Sequence, residues 1–393
     1  MFFCRVQSKK VLPLVLSGFG LVLSLPVLAH EDLRLNQALA ADIRTTAQPY
    51  QKSSLLAQLS NLYQTLGETQ LATRLLQESK VLAKAIQQPY VQQYVMGHTA
   101  NEIASNGDFD LAMQVLNQVS DTEIWVKTAW KLANKAAKAN QPELTRQLLA
   151  ECDRRAHAVD DLELRAELLS GTGASHRFLN PVDGVGMVYE AYGIAQTLTD
   201  PYERALHFNE AGAHFMDIKH QDKALAVFDQ VWDLIDQIKS PLQQAQALAM
   251  LGGEQAEKGQ RERAAKALQR AVVIAEQLPD SEATFAVRSE IARNWGQSYQ
   301  FKDGIKMAER IADPYHQAEG FIRIAKNMYR QKQQAEALAL LKRTEKLANR
   351  ISDPYLQATV LRKLASEYEM AQDTAKVKEL LAQALKVTRR ITS

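Results

Sequence analysis

The sequence predicts an all-α solenoid, one array of about nine helical hairpins. Three observations carry that expectation. The phrase Asp-Pro-Tyr and its variants recur at intervals of 33, 39 or 40 residues from residue 48 onward. A small residue recurs at one fixed place after each. The composition is that of helix, with Ala, Leu and Gln abundant, 11 Pro and 17 Gly in 393 residues, and aromatics at 7%. At 46% hydrophobic and 23% charged, the chain carries enough apolar surface to fold. Two cysteines exclude a disulfide scaffold, and a formal net charge of +2 gives no sign of a nucleic-acid binder.

The first element is an export signature. Arg5, Lys9 and Lys10 precede an apolar run from Val11 to Val27, Pro26 ends any helix, and Val27-Leu28-Ala29 supplies the small side chains of a cleavage site. Residues 1–29 are expected to be a signal peptide, leaving His30 as the new N-terminus. The run falls short of the ~20 residues that span a bilayer. The expected address is a periplasm, an equivalent lumen, or outside the cell. Cys4 would leave with the signal, so Cys152 would be the one remaining thiol. Residues 30–48 form a lead-in whose helix, Leu33 to Arg44, would cover the N-terminal edge of the array.

The array occupies residues 49–393. Asp-Pro-Tyr stands at 200–202, 313–315 and 353–355, Gln-Pro-Tyr at 48–50 and 88–90, and Ser-Pro-Leu at 240–242. Degenerate copies begin at Asp121, Asp161 and Asp280. Their middle residues, 49, 89, 122, 162, 201, 241, 281, 314 and 354, anchor nine units that tile the chain. Asp or Ser before Pro is an N-cap followed by proline at the first helical position, where its missing N–H is not needed. Apolar residues at +7, +10 and +14 from the anchor then form a helical stripe, as in Leu361, Leu364 and Tyr368 or Phe321, Ile324 and Met328. Position +11 is small in every unit: Ser60, Ala100, Ala133, Gly173, Gly212, Gly252, Ala292, Ala325 and Ala365. A small side chain there lets a second helix approach closely. A polar turn follows near +17 to +21. Helix B then pairs a small residue at +23 with a bulky one at +27, as in Ala72 with Leu76, Ala112 with Leu116 and Ala224 with Phe228. The final helix, from Thr374 to Arg390, ends in cations and suits an exposed cap.

The order bulky, bulky, small, aromatic on helix A, then small and bulky on helix B, resembles the tetratricopeptide repeat over residues 49–393. The units at 89–121 and 281–313 match its usual length, and the other seven are longer by a stretch expected in helix B. The resemblance implies a right-handed α-α superhelix whose helix A residues line a concave groove at +5, +8 and +12. One hairpin cannot bury its apolar faces alone, so stability must come from stacking.

No catalytic constellation emerges. Gly171-Thr172-Gly173 falls inside helix A of the fourth unit, and Gly184-Val185-Gly186 opens its helix B. Neither is followed by the Lys-Ser/Thr of a phosphate loop. His207 and His214 share a helix face with His220 beyond, yet no Cys or acidic cluster completes a metal set. His176 falls at the +14 core position. Cys152 reads as a buried small hydrophobe. No enzyme, metal or cofactor is expected.

The groove is what remains. At +12 the first three units carry Asn61, Asn101 and Asn134, and amides can hydrogen-bond an extended peptide backbone. They resemble the asparagines of the family's carboxylate-clamp members, although the clamp's +8 bases are replaced by Ala57, Gly97 and Trp130, with Lys127 at +5. Residues 281–393 hold 20 Lys+Arg against 13 Asp+Glu, a net of +7, while the rest of the array and lead-in is net −8. Arg293 and Lys326 at +12, with Arg330 and Arg362, make a basic stretch that would attract an acidic partner. The leading expectation is an exported scaffold binding a protein or peptide, with no nucleic acid. The alternatives are a cell-envelope enzyme or polysaccharide-processing accessory protein built on helical repeats, and head-to-tail self-assembly through the opposite end charges.

Overall fold

A computed structural model describes residues 47–391. The expected signal peptide and the lead-in helix from Leu33 to Arg44 lie outside the described residues. Within them the chain is a tetratricopeptide-like solenoid of nine hairpins, with no strand. The first three hairpins are α1 (Gln48–Thr65) with α2 (Thr69–Ala85), α3 (Pro89–Ser105) with α4 (Phe109–Leu116), and α5 (Thr122–Lys138) with α6 (Pro142–His157). Next come α7 (Leu162–Ser175) with α8 (Pro181–Ala195), α9 (Pro201–Asp217) with α10 (Gln221–Ile235), and α11 (Pro241–Glu257) with α12 (Arg261–Gln277). The last are α13 (Glu282–Gln297) with α14 (Phe301–Glu309), α15 (Pro314–Arg330) with α16 (Gln334–Ala348), and α17 (Pro354–Met370) with α18 (Thr374–Thr388). Every first helix starts within one residue of its anchor.

The starts and turns follow from the repeated residues. Asp313 and Asp353 accept the backbone N–H of His316 and Leu356 at 2.8 and 2.9 Å, and Asp121, Asp161, Asp200, Ser240, Ser281 and Gln88 cap their helices alike. At +18 the backbone turns left-handed in eight hairpins: Gly67, Gly107, Asn140, Lys219, Gly259, Tyr299, Lys332 and Gln372 all have positive φ. That residue ends helix A and aims the chain back along it. The fourth hairpin departs. Its helix A stops at Ser175 and a short 3-10 turn, His176–Phe178, replaces the left-handed residue. His176, expected in the core stripe, therefore heads this turn, only partly buried.

The two helices of each hairpin meet at the small +11 position, buried in all nine units. A Cβ on Gly252 would stand 2.6 Å from the Leu268 side chain, and one on Gly212 2.6 Å from the Phe228 ring. The extra length of the long units lies in helix B, as expected. α4 and α14 have 8 and 9 residues, and the other second helices have 15 to 17. Clefts open on both sides of these short helices, the largest about 760 Å³ between α14 and α16. In helix B of the first hairpin Leu75 is the fully buried residue, and Leu76 is half-buried.

The array closes on itself. Consecutive A helices pack against each other throughout, whereas consecutive B helices stand farther apart, which puts the A helices on the inside of a curve. The curve returns to its start: α17 and α18 both pack on α1, as α1 and α2 both pack on α3. Leu55, Leu56 and Leu59 of α1 share one continuous apolar core with Leu361, Leu364, Leu380 and Leu381 of the ninth hairpin. Lys378 and Glu68 form an ion pair across the seam at 3.0 Å. The last helix is thus not an exposed cap. Val377, Leu380, Leu381 and Ala384 are buried, because the first hairpin supplies the neighbour that an open solenoid would lack.

Two outcomes test this architecture. Lys332→Gly and Gln372→Gly, at exposed left-handed positions, should each raise stability by about 1 kcal/mol, read as a higher urea midpoint. A short bifunctional maleimide should join Glu68→Cys to Lys378→Cys within one monomer. A monomer without that internal crosslink would contradict closure.

Candidate functional site

Closure turns the concave groove into the wall of a channel. Nine helix axes about 9 Å apart describe a circle of radius about 13 Å, and side chains reaching ~5–6 Å inward leave an opening of roughly 15 Å. The wall is built from residues of the A helices that face neither their own B helix nor the apolar seams between hairpins. It is densely charged, and most of its charges bridge adjacent hairpins. Lys127 on α5 meets Glu167 on α7 at 2.5 Å and Glu123 on its own helix at 3.1 Å. Asp217 on α9 holds Arg177, in the middle of hairpin four's 3-10 turn, at 2.5 Å and Lys258, just beyond α11, at 2.7 Å. Glu319 on α15 holds Lys363 on α17 at 2.5 Å, and Glu367 on α17 lies 3.6 Å from Lys326 on α15. A second belt runs around the outside, where long arginines cross the wider gaps: Arg263 to Asp229, Arg270 to Asp236, Arg310 to Glu276, and Arg343 to Glu309.

Several expected groove residues prove to be engaged. Asn61 donates to Glu102 of the next hairpin at 2.8 Å, and Arg293 pairs with Glu290 at 3.1 Å. Arg330 donates to Asn327 at 3.4 Å. Trp130 packs over Gly171, where a Cβ would stand 2.7 Å from its ring. Asn101 accepts from Lys135 through its backbone carbonyl, while its side-chain oxygen and that of Asn134 are buried without a hydrogen bond. Arg362 is partly buried, its Nε without a partner. The basic stretch is therefore interleaved with Glu290, Glu319 and Glu367. Arg323 and Lys363 at +9, Glu319 at +5 and Glu367 at +13 also belong to this wall and were not singled out in the sequence. Widening the inner face from +5, +8 and +12 to include +9 and +13 would have found all but Glu319, which sits at a position already assigned to the groove.

Burial shapes the ionisation of the wall. His98, 3.1 Å from Gln58 across the first seam, is held below the usual imidazole range by burial, against the pull of Glu102. Burial likewise brings His214, bonded to Ser170 at 2.6 Å, down to about 4. Glu254 is pushed up to about 7, first by burial and then by Glu257. Burial alone would raise Glu319, but Lys363, Arg293 and Arg362 hold its carboxyl below the ordinary value. His207, His214 and His220 do not converge; His207 lies 4.0 Å from Glu163 and His220 bonds Tyr189. Among the described residues no three ligating side chains gather for a metal. Cys152 is buried with its thiol pushed well up by burial, so it is an inert core residue.

No family model matches the chain, and no curated protein does. Solved structures with similar folds include a protein from Thermococcus onnurineus, 15% identical, covering 75% of this chain and 97% of that one with a TM-score of 0.41. Another is a Rap protein complexed with Competence and Sporulation Factor, 12% identical, covering 86% and 99% with a TM-score of 0.35. A signal-transduction ATPase with a tetratricopeptide repeat sensor, from Pyrococcus horikoshii, is 14% identical and covers 95% and 66% with a TM-score of 0.34. Likenesses of this size transfer no function to the chain.

The raised carboxyl of Glu254 gives a pH test. The folded state binds its proton more tightly than the unfolded state, so its contribution falls as pH rises from about 4.5 to about 7. His214 slopes the other way below its ordinary value, so the comparison must be with the parent. Glu254→Gln should match the parent near pH 4.5 and exceed it at pH 8 by on the order of 2 kcal/mol, read from thermal midpoints at both values.

Proposed function

We propose that the chain is an exported scaffold whose channel holds an extended segment of a protein or peptide partner. The carrying observation is the closed inner wall, with buried polar atoms at Asn101, Asn134 and Arg362 that no group among the described residues satisfies. Buried donors and acceptors without partners are destabilising, so a bound backbone that supplies them gains binding energy. An opening of roughly 15 Å admits an extended strand or one helix, which is 10–12 Å across with side chains, and excludes a folded domain. The partner must therefore offer a terminus or a flexible segment. Charge pairing between neighbouring hairpins keeps the wall rigid, so little ordering cost falls on the ring when a ligand enters. The wall's polar lining, most of it committed to pairs between neighbouring hairpins, suits recognition of a passing backbone.

Export rests on Arg5, Lys9, Lys10 and the apolar run to Val27. Full-length chain made in a Gram-negative cell should appear in the periplasmic fraction shortened by residues 1–29. For binding, hydrogen exchange on the purified chain with and without a bound peptide should show protection confined to α3, α5, α15 and α17. Protection restricted to the outer helices would move the site off the channel.

A further inference from the structure

The inner wall of hairpins seven to nine carries more positive charge than its carboxylates can answer. Six cations project from α13, α15 and α17: Arg293, Arg323, Lys326, Arg330, Arg362 and Lys363. Three carboxylates accompany them, each claimed by a specific neighbour: Glu290 by Arg293 at 3.1 Å, Glu319 by Lys363 at 2.5 Å, and Glu367 by Lys326 at 3.6 Å. Arg330 lies toward the rim on Asn327. That leaves the side chains of Arg323 and Arg362, on adjacent helices and each partly buried: neither is in an ion pair among the described residues, and the Nε of Arg362 is buried without a partner. Both lie in the field of the same carboxylate, Glu319, whose own bond goes to Lys363. Arg323 also faces Glu290, Glu367 and the like-charged Arg293. Arg362 faces Glu102 and His98 across the seam, with Tyr315 and Tyr355 beside it.

We propose that Arg323 and Arg362 receive the carboxylates of an acidic peptide segment lying along the channel. This rests on the scaffold reading above and specifies its ligand. A guanidinium partly withdrawn from water with no carboxylate bonded directly to it is unfavourable. A ligand carboxylate relieves that penalty and matches the planar fork with two parallel hydrogen bonds. A run of Asp and Glu suits the site better than one compact anion, because the positive surplus continues from Arg362 through Arg323 to Arg330 along the wall. Burial also lowers the proton affinity of both arginines, against the pull of the carboxylates around them.

The test has two arms. In the first, a displayed library of random peptides is panned on the full chain. Enrichment in Asp and Glu supports the proposal. Enrichment without acid bias overturns it and leaves the scaffold reading standing, whereas no enrichment removes the scaffold reading itself. In the second, acidic, neutral and basic peptides of equal length are titrated by fluorescence anisotropy. The parent should prefer the acidic peptide, losing affinity with salt. Arg323→Gln and Arg362→Gln should each weaken it roughly tenfold, while Arg263→Gln with Arg270→Gln on the outer wall should not. If R323Q/R362Q together lose the thermal transition, the single variants carry the comparison. An acidic peptide held no better than the neutral one, or held equally by the variants, overturns the assignment. So does inorganic phosphate binding with the same arginine dependence while the acidic peptide does not.

Discussion

Each hairpin is held closer at its centre than ordinary side chains allow, and the ring depends on that contact. At hairpin four the carbonyl of Gly173 would stand 2.0 Å from any Cβ placed on Gly184, so the two helices nearly touch backbone to backbone. Elsewhere Ala or Gly at +11, or Ser60 in the first hairpin, receives Leu268, Phe228 or their equivalents. With the pair locked, each hairpin behaves as a wedge. Its inner helix packs on the next inner helix while the outer helices diverge, and nine wedges return the chain to its start. Curvature is thus set by what fits between helices, not by the loops that join them.

Closure changes how a repeat array is stabilised. An open solenoid leaves an apolar face at each end and needs polar terminal repeats to cover them. Here α1 and the ninth hairpin cover each other, and both ends share one core with Phe228, Phe321 and Tyr368. The gain is considerable: Leu55, Leu56, Leu361, Leu380 and Leu381 are almost wholly buried, and fully burying one such side chain is worth roughly 1.5–3 kcal/mol. The seam ion pair is about half-exposed on both sides, and surface pairs of that kind contribute little. Apolar contact holds the seam.

Most of this fold was legible in the residues. The anchor spacing placed each helix start, the +11 position placed each close contact, and the unit lengths located the two short outer helices. Closure was not legible. It depends on a small angle between neighbouring hairpins repeated nine times, and that angle comes from side-chain packing between units, which no single motif encodes. A spiral and a ring share the same periodicity. The wall was half legible for a related reason. The repeat register points to the +12 residues, but whether Asn61 or Arg293 is free depends on Glu102 forty-one residues later or Glu290 one turn earlier. The break in the fourth turn was not legible either: Asn180, at the place of the left-handed residue, instead caps α8, which starts at Pro181.

The charge asymmetry along the chain gains a different meaning once the ends meet. A net of −8 over residues 30–280 and +7 after them would draw separate molecules into head-to-tail stacks if the solenoid were open. In a ring the two blocks adjoin twice within one molecule: between hairpins six and seven, and again where hairpin nine meets hairpin one. At the second junction Lys378 reaches Glu68 and Arg362 faces Glu102. Long-range attraction between the blocks favours the closed state over stacking, because the partner charge is tethered on the same chain at a high effective concentration. The apolar seam then fixes what the charges have brought together. Closure consumes the opposite charge at the seam, and the positive surplus that survives it lies on the channel wall of hairpins eight and nine, around Arg323 and Arg362.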